Sequence, residues 1–156
     1  MEGSELNVQL LVFRVHDERL AIGIHQVEQV LPSVWITPLP GAPEVVEGIV
    51  RVGNRVLPVF DLASRFFSSP RSLRLNDHLI LANTSKRTVL LHVNQVEGLV
   101  ECSGHSMEDR DSILPNLELI DGVLRLDDGI ILIQALDRFL GLEEEEALES
   151  AMKART

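Results

Sequence analysis

The feature that most constrains this chain is a succession of short apolar runs, each cut off by turn residues. Leu10-Leu11-Val12-Phe13-Arg14-Val15 gives way to the polar His16-Asp17-Glu18-Arg19 and returns as Leu20-Ala21-Ile22-Gly23-Ile24. Apolar, β-forming runs across a polar turn predict a hairpin. Gly48-Ile49-Val50-Arg51-Val52 and Val56-Leu57-Pro58-Val59-Phe60 flank Gly53-Asn54 in the same way. Gly in the first central position suits a type II′ turn. His78–Ala82 and Thr88–Val93 flank the polar Asn83–Arg87, and Gly122–Leu126 and Ile130–Ile133 flank Asp127-Asp128-Gly129. Between the first two hairpins, Pro38, Pro40 and Pro43 follow Trp35 closely. Proline has no N–H to donate, so this stretch is an ordered loop, not a helix or a central strand. Ile24–Leu31 carries apolar residues at helical spacing but reads equally well as a continuing strand. Residues 101–118 read as irregular. Asp61 is expected to cap a short helix over Leu62–Phe67. Glu143–Arg155 is expected to be helical, its acids first and its bases last, as the helix dipole prefers.

An internal repeat underlies these hairpins. Gly48–Phe66 lies on Gly122–Leu140 without a gap at an offset of 74, pairing Gly48 with Gly122, Arg51 with Arg125 and Leu62 with Leu136. Gln26-Val27-Glu28 echoes Gln95-Val96-Glu97 at an offset of 69. Either any two apolar hairpins look alike, or each half is a similar β-lobe. In the second case each lobe has too few strands for a sandwich, and closing into a small barrel would hide its edges.

The chain has 156 residues. That suits one domain or two lobes sharing a core, burying roughly 70% of the unfolded surface. Cys102 is the only cysteine, which excludes an intramolecular disulfide and fits a reducing compartment. The start, Met1-Glu2-Gly3-Ser4-Glu5, has neither the basic nor the apolar part of a secretory signal, and no apolar run reaches a membrane span. The expected location is the cytoplasm. A net charge of −10 argues against nucleic acid as a partner. The bases Arg65, Arg71, Arg74, Lys86 and Arg87 read as an ordinary mixed surface.

No catalytic constellation is expected, and no cofactor or metal. His16, His25, His78, His92 and His105 include no i, i+4 pair, and there is no Cys-x-x-Cys. Cys102 and His105, with nearby acids, make half a metal site, which keeps a small metal-dependent enzyme as the alternative reading. Asp61 reads as a cap rather than a general base. Glu101, Glu108, Asp109 and Asp111 lack the spacing of a calcium loop. A self-associating regulatory domain is a further alternative. What remains is two apolar sets after the matching hairpins: Val27, Val30 and Leu31, then Val96, Leu99 and Val100. They are either core or the lining of a groove between lobes that would take an amphipathic helix.

Several segments together resemble the CheW-like coupling proteins of bacterial chemotaxis. They are Phe13-Arg14-Val15, Leu20-Ala21-Ile22, Val27-Glu28-Gln29-Val30-Leu31, Ile36-Thr37-Pro38-Leu39-Pro40-Gly41-Ala42-Pro43 and Val56-Leu57-Pro58-Val59-Phe60-Asp61-Leu62, with Val96-Glu97-Gly98-Leu99-Val100 and Gly122–Gly129 in the second half. The resemblance spans roughly residues 8–142. It implies an all-β fold of two SH3-like five-stranded β-barrels in one CheW-like domain over residues 1–142. Lobe 1 would be roughly 8–67 and lobe 2 roughly 76–142, with termini that cross between lobes, short helices, and an acidic C-terminal helix over 143–156. It also implies an adaptor with no enzymatic activity, recruited to membrane-bound receptor arrays without inserting into the membrane. Its partners would be the cytoplasmic tip of a methyl-accepting chemoreceptor, the regulatory domain of a CheA-type histidine kinase, and other CheW-like domains. The receptor-groove candidates are Val27, Gln29, Val30, Leu31, Gly48 and Val100. The kinase-docking candidates are Arg51, Gly53, Asn54, Arg55, Asp127 and Asp128. The family's Asn-Leu-Arg-Gly reads Arg51-Val52-Gly53-Asn54 here, so Gly53 replaces an arginine; Gln29 stands where many members have an acid, and Asn94 where an Asp is common. These departures point to a divergent array, one controlling pili, surface motility or second-messenger output.

Overall fold

The computed structural model describes residues 7–62, 76–103, 107–108, 120–126, 129–134, 136–138 and 140–155. The strands are β1 (Asn7–Val15), β2 (Glu18–Gly23), β3 (Val27–Pro32), β4 (Val46–Val52), β5 (Arg55–Asp61), β6 (His78–Asn83), β7 (Thr88–Val93), β8 (Gln95–Ser103), β9 (Met107–Glu108), β10 (Ile120–Leu126) and β11 (Gly129–Gln134), and helix α1 spans Leu142–Arg155. They form a six-stranded sheet, β8-β1-β2-β11-β10-β9, and a five-stranded sheet, β3-β6-β7-β5-β4. The all-β expectation therefore holds, with a two-residue β9 added to one sheet.

The turns follow the local chemistry. Gly53 takes φ 61 in the two-residue loop between β4 and β5. The first hairpin is tighter than the expected four-residue turn, because Val15 pairs with Glu18 across His16-Asp17 alone. His16 takes φ 55 there, and its N–H donates to Asn94 Oδ1, which holds the turn from outside. Ile24–Leu31 resolves into both expected forms, a 3-10 turn over Ile24–Gln26 followed by β3. Asp61 is the last residue of β5, and beyond Leu62 the helix expected over Leu62–Phe67 lies outside the described residues. Of the stretch expected to be irregular, residues 101–103 end β8 and Met107–Glu108 form β9, and the rest lies outside the described residues.

The repeat is visible in the hydrogen-bond registers. In β4–β5 Gly48 faces Val59 and the register slips between Val46 and Gly48; in β10–β11 Gly122 faces Ile133 and slips between Ile120 and Gly122. Likewise Val27 and Gln29 face Ala82 and Leu81, while Val96 and Gly98 face Phe13 and Val12. Glu28 and Glu97 are thus the extra residues of two matching bulges.

The two sheets do not follow the order of the chain. β1 and β2 join β8, β10 and β11, whereas β6 and β7 join β3, β4 and β5. Each sheet takes its first hairpin from one repeat and its remaining long strands from the other. The physical reason is the short link from β7 to β8, in which Asn94 N–H donates to Arg14 O at 2.8 Å and feeds β8 onto β1.

The apolar runs lack polar alternation because both faces of their strands are buried. Leu11, Phe13, Leu20 and Ile22 of one sheet pack with Ile80, Val89, Leu91 and Phe60 of the other in a single inter-sheet core. The opposite face of β5, β6 and β7 buries Leu57, Val59, Leu79, Leu81 and Leu90 in a second cluster. Thr37, in the proline-rich loop after β3, bridges to Ile49 on the outer strand β4 through Thr37 N–H to Ile49 O at 3.0 Å and Ile49 N–H to Thr37 O at 2.7 Å. The proline-rich loop thus carries the chain from β3 across to β4.

Helix α1 caps the inter-sheet core. Leu148 and Ala151 are buried in it beside Leu136 and Leu140. Arg87 Nη2 donates to Glu145 Oε1 and Glu149 Oε2, each at 3.0 Å, and fastens the helix to the β6–β7 loop.

Two consequences are measurable by urea unfolding. A Cβ on Gly48 would lie 2.1 Å from the Thr37 carbonyl oxygen, so Gly48→Ala should cost about 1–3 kcal/mol, more than Gly53→Ala, whose Cβ meets nothing within 4 Å. Leu148→Ala should cost about 2–5 kcal/mol if α1 is part of the core; a loss below ~1 kcal/mol would show the helix to be an appendage.

Candidate functional site

Strands β3 and β8 are outer strands of the two sheets and counterparts in the repeat. Val30 pairs with Ile80, an inter-sheet core residue, so its side chain lies on that same face one strand further out. It remains 38% exposed. Leu99 pairs with the core residue Leu11 in the matching position and is 60% exposed. Val27 and Val96, also counterparts, are half-buried against the same core. The result is two apolar shelves that leave the shared core at repeat-related edges.

The groove candidates divide accordingly. Val27 and Val30 lie on this face. Leu31 packs half-buried against the other cluster, with Val50 and Leu79, and Val100 pairs with Leu10, which is buried outside the inter-sheet core. Gln29 is exposed on the strand face of Leu31, and Gly48 is buried beneath Thr37 with no surface to offer. Leu99 belongs to the second apolar set read from the sequence but not to the narrower receptor-groove set, although the repeat pairs it with Val30. Trp35, three residues beyond the end of β3, is 84% exposed.

Charged groups rim both shelves. Arg55 Nη1 and Nη2 donate to the two Glu28 carboxylate oxygens at 3.3 Å each, and Arg14 and Arg19 both meet Glu97. The hydrogen bond from Arg55 holds the Glu28 carboxyl below its usual range. Arg51 Nε donates to Gly53 O at 3.2 Å, and Arg51, Gly53, Asn54 and Arg55 form an exposed end of the five-stranded sheet. Asp127 and Asp128 lie outside the described residues, as does His105, and nothing is described of the Cys102 side chain.

A buried polar cluster lies at one end of the five-stranded sheet. His92 on β7 meets Glu47 through Nδ1 and Asp77 through Nε2, the latter at 2.7 Å. Asn94 Nδ2 reaches Asp77 Oδ1 at 3.4 Å. Asp61 pairs with His92 in the β5–β7 register and is buried with it. Burial pushes the His92 imidazole down, but hydrogen bonds and charge from Glu47 and Asp77 outweigh it and raise the pKa above its ordinary value. Strand alternation aligns His92 with Leu90, Asp61 with Val59 and Asp77 with Leu79, so the cluster forms a polar layer at the end of that sheet's apolar interior. Only Asp61 had a sequence signal, and it was read as a cap.

The CheW-like domain family model matches residues 9–146. The chain belongs to the CheW-like family. It is 28% identical to the chemotaxis protein CheW of Rhizobium meliloti (strain 1021) over 141 residues, 89% of this chain and 91% of that one. It is 23% identical to the chemotaxis protein CheW of Thermotoga maritima over 132 residues, 85% and 87% of the two chains. Its fold resembles the crystal structure of the scaffolding protein TtCheW from Thermoanaerobacter tengcongensis, with a TM-score of 0.81 and 24% identity over 89% of this chain and 96% of that one. At these identities it is a divergent member. Among the described residues no helix of this CheW-like chain is long and apolar enough to cross a membrane.

The rim pairing has a direct readout. In Arg55→Ala the Glu28 carboxyl should titrate higher than in the parent, measured by carbon-detected NMR; an unchanged titration would mean that Arg55 does not hold Glu28 in solution.

Proposed function

We propose that this CheW-like chain is a non-enzymatic adaptor of a bacterial chemosensory complex, coupling the cytoplasmic tip of a methyl-accepting chemoreceptor to a CheA-type histidine kinase. The observation that carries the reading is the pair of exposed apolar side chains, Val30 and Leu99, at matching outer edges of one core. A helical receptor tip presents apolar residues at i, i+3, i+4 and i+7, and such a stripe buries well against a β-edge with Val27 and Val96 behind it. Gln29, Leu31 and Val100 support the shelves from the other faces of β3 and β8, and Gly48 lets the proline-rich loop pass closely over β4.

The kinase regulatory domain, or another CheW-like domain, docks at the exposed β4–β5 end formed by Arg51, Gly53, Asn54 and Arg55, with Asp127 and Asp128, which the 74-residue offset pairs with Gly53 and Asn54, as further candidates. A turn with Gly53 where relatives carry arginine fits an altered kinase partner and an array controlling pili, surface motility or second-messenger output. The reading places the protein in the cytoplasm, recruited to receptor arrays.

Val30→Glu and Leu99→Glu should each weaken receptor-tip binding at least tenfold by calorimetry, with circular dichroism and thermal midpoint unchanged, because both side chains already face water. Kinase binding should survive both changes and fall in Arg51→Ala/Arg55→Ala. Failure of the parent protein to bind either cognate partner would overturn the proposal, and unfolding of Val30→Glu would return Val30 to the core.

A further inference from the structure

The geometry points to a binding site for a first-row divalent transition-metal cation, made by Glu47, Asp61 and His92, with Asp77 orienting the histidine. Three observations carry it. First, a Glu47 oxygen, an Asp61 oxygen and a ring nitrogen of His92 all lie within 4.8 Å of one another, close enough to share one ion. They come from three neighbouring strands, β4, β5 and β7, so the site is held by the sheet rather than by a loop.

Second, the remaining nitrogen is already committed. His92 Nε2 meets Asp77 Oδ2 at 2.7 Å, and Asp77 is itself contacted by Asn94. A carboxylate on the far nitrogen fixes the tautomer that leaves Nδ1 facing a cation and makes the ring a better donor. His92, Asp77 and Asp61 are each at least 96% buried, so water screens little of their charge. One imidazole and two carboxylates suit a zinc- or manganese-like ion better than magnesium.

Third, the fold does not require this cluster. The repeat provides an internal comparison, because the other sheet has the same strands in the same registers. At the positions equivalent to His92, Asp77, Asp61 and Glu47 the sequence has Gly23, Val8, Ala135 and Asp121. A lobe of this design is therefore built with at most one of these polar groups, and the full set belongs to one lobe only.

The experiment strips the full-length protein with a chelator and titrates Zn2+ alone against a chromogenic competitor. The parent should bind one Zn2+ per chain, with Mg2+ failing to displace it. Asp61→Asn and His92→Asn should each weaken binding a hundredfold or more, and Asp77→Asn about ten- to a hundredfold. Should His92→Asn not fold, the exposed-edge partner Glu47→Gln replaces it, read with a thermal melt. Cys102→Ser/His105→Ala should bind like the parent. Absence of stoichiometric binding in the parent would overturn the site. So would binding that survives the Asp61 and Glu47 changes in folded protein, or that is lost with Cys102 and His105.

Discussion

Everything in this molecule depends on the apolar contact between its two sheets. Neither sheet could stand alone, because the strands at its centre are apolar on both faces, and one of those faces is covered by the other sheet together with helix α1. Phe13 and Ile22 need Ile80 and Leu91 opposite them, and the helix end supplied by Leu148 closes the same core. The exchange of hairpins makes that dependence covalent. Each sheet contains strands from both halves of the chain, so one lobe cannot come apart from the other without breaking strand pairs in both. At roughly 25 cal/mol per Å² of buried apolar surface, a core drawn from β1, β2 and β4–β7, with Val27 of β3 and Val96 of β8 packed against it, is the dominant stabilising term.

The same arrangement decides where binding surface is left over. A sheet packed against another by its central strands leaves its outer strands only half covered. That is why Val30 and Leu99, one on each outer strand, keep apolar side chains in contact with water while Val27 and Val96 reach the core. The bulges at Glu28 and Glu97 bend both edges and set an arginine-paired carboxylate beside each shelf. An adaptor needs surfaces of this kind: rigid, apolar at the centre and charged at the rim, on a framework that holds two partners at fixed separation.

Much of this was legible in the residues. The hairpins could be read because turn chemistry is local: Gly53 supplies a positive φ, and the runs on either side are β-formers. The repeat could be read because its offsets hold without gaps. The division of strands between sheets could not, since nothing in the periodicity of β3 or β8 says which hairpin each will pair with. That choice is made by the short β7–β8 link and its hydrogen bonds to Arg14 and His16. β8 was not read as a strand, because the bulge at Glu97 and the φ 131 of Gly98 break its alternation. In the site, Val30 was legible from its motif, and Leu99 from the apolar set that matches it in the second half. The Glu47–Asp77–His92 cluster was silent, because its members are far apart in sequence and each looks ordinary alone.

The central claim is that one receptor helix is held on the paired apolar edges of β3 and β8. Cross-saturation transfer from an unlabelled receptor-tip helical hairpin to methyl-labelled protein tests it most directly. The account predicts that the methyls of Val27, Val30, Val96 and Leu99 lose intensity first, while those of Val59 and Leu90 in the interior stay unchanged. Saturation centred on the β4–β5 turn, or on helix α1, with the β3 and β8 edges silent would contradict it.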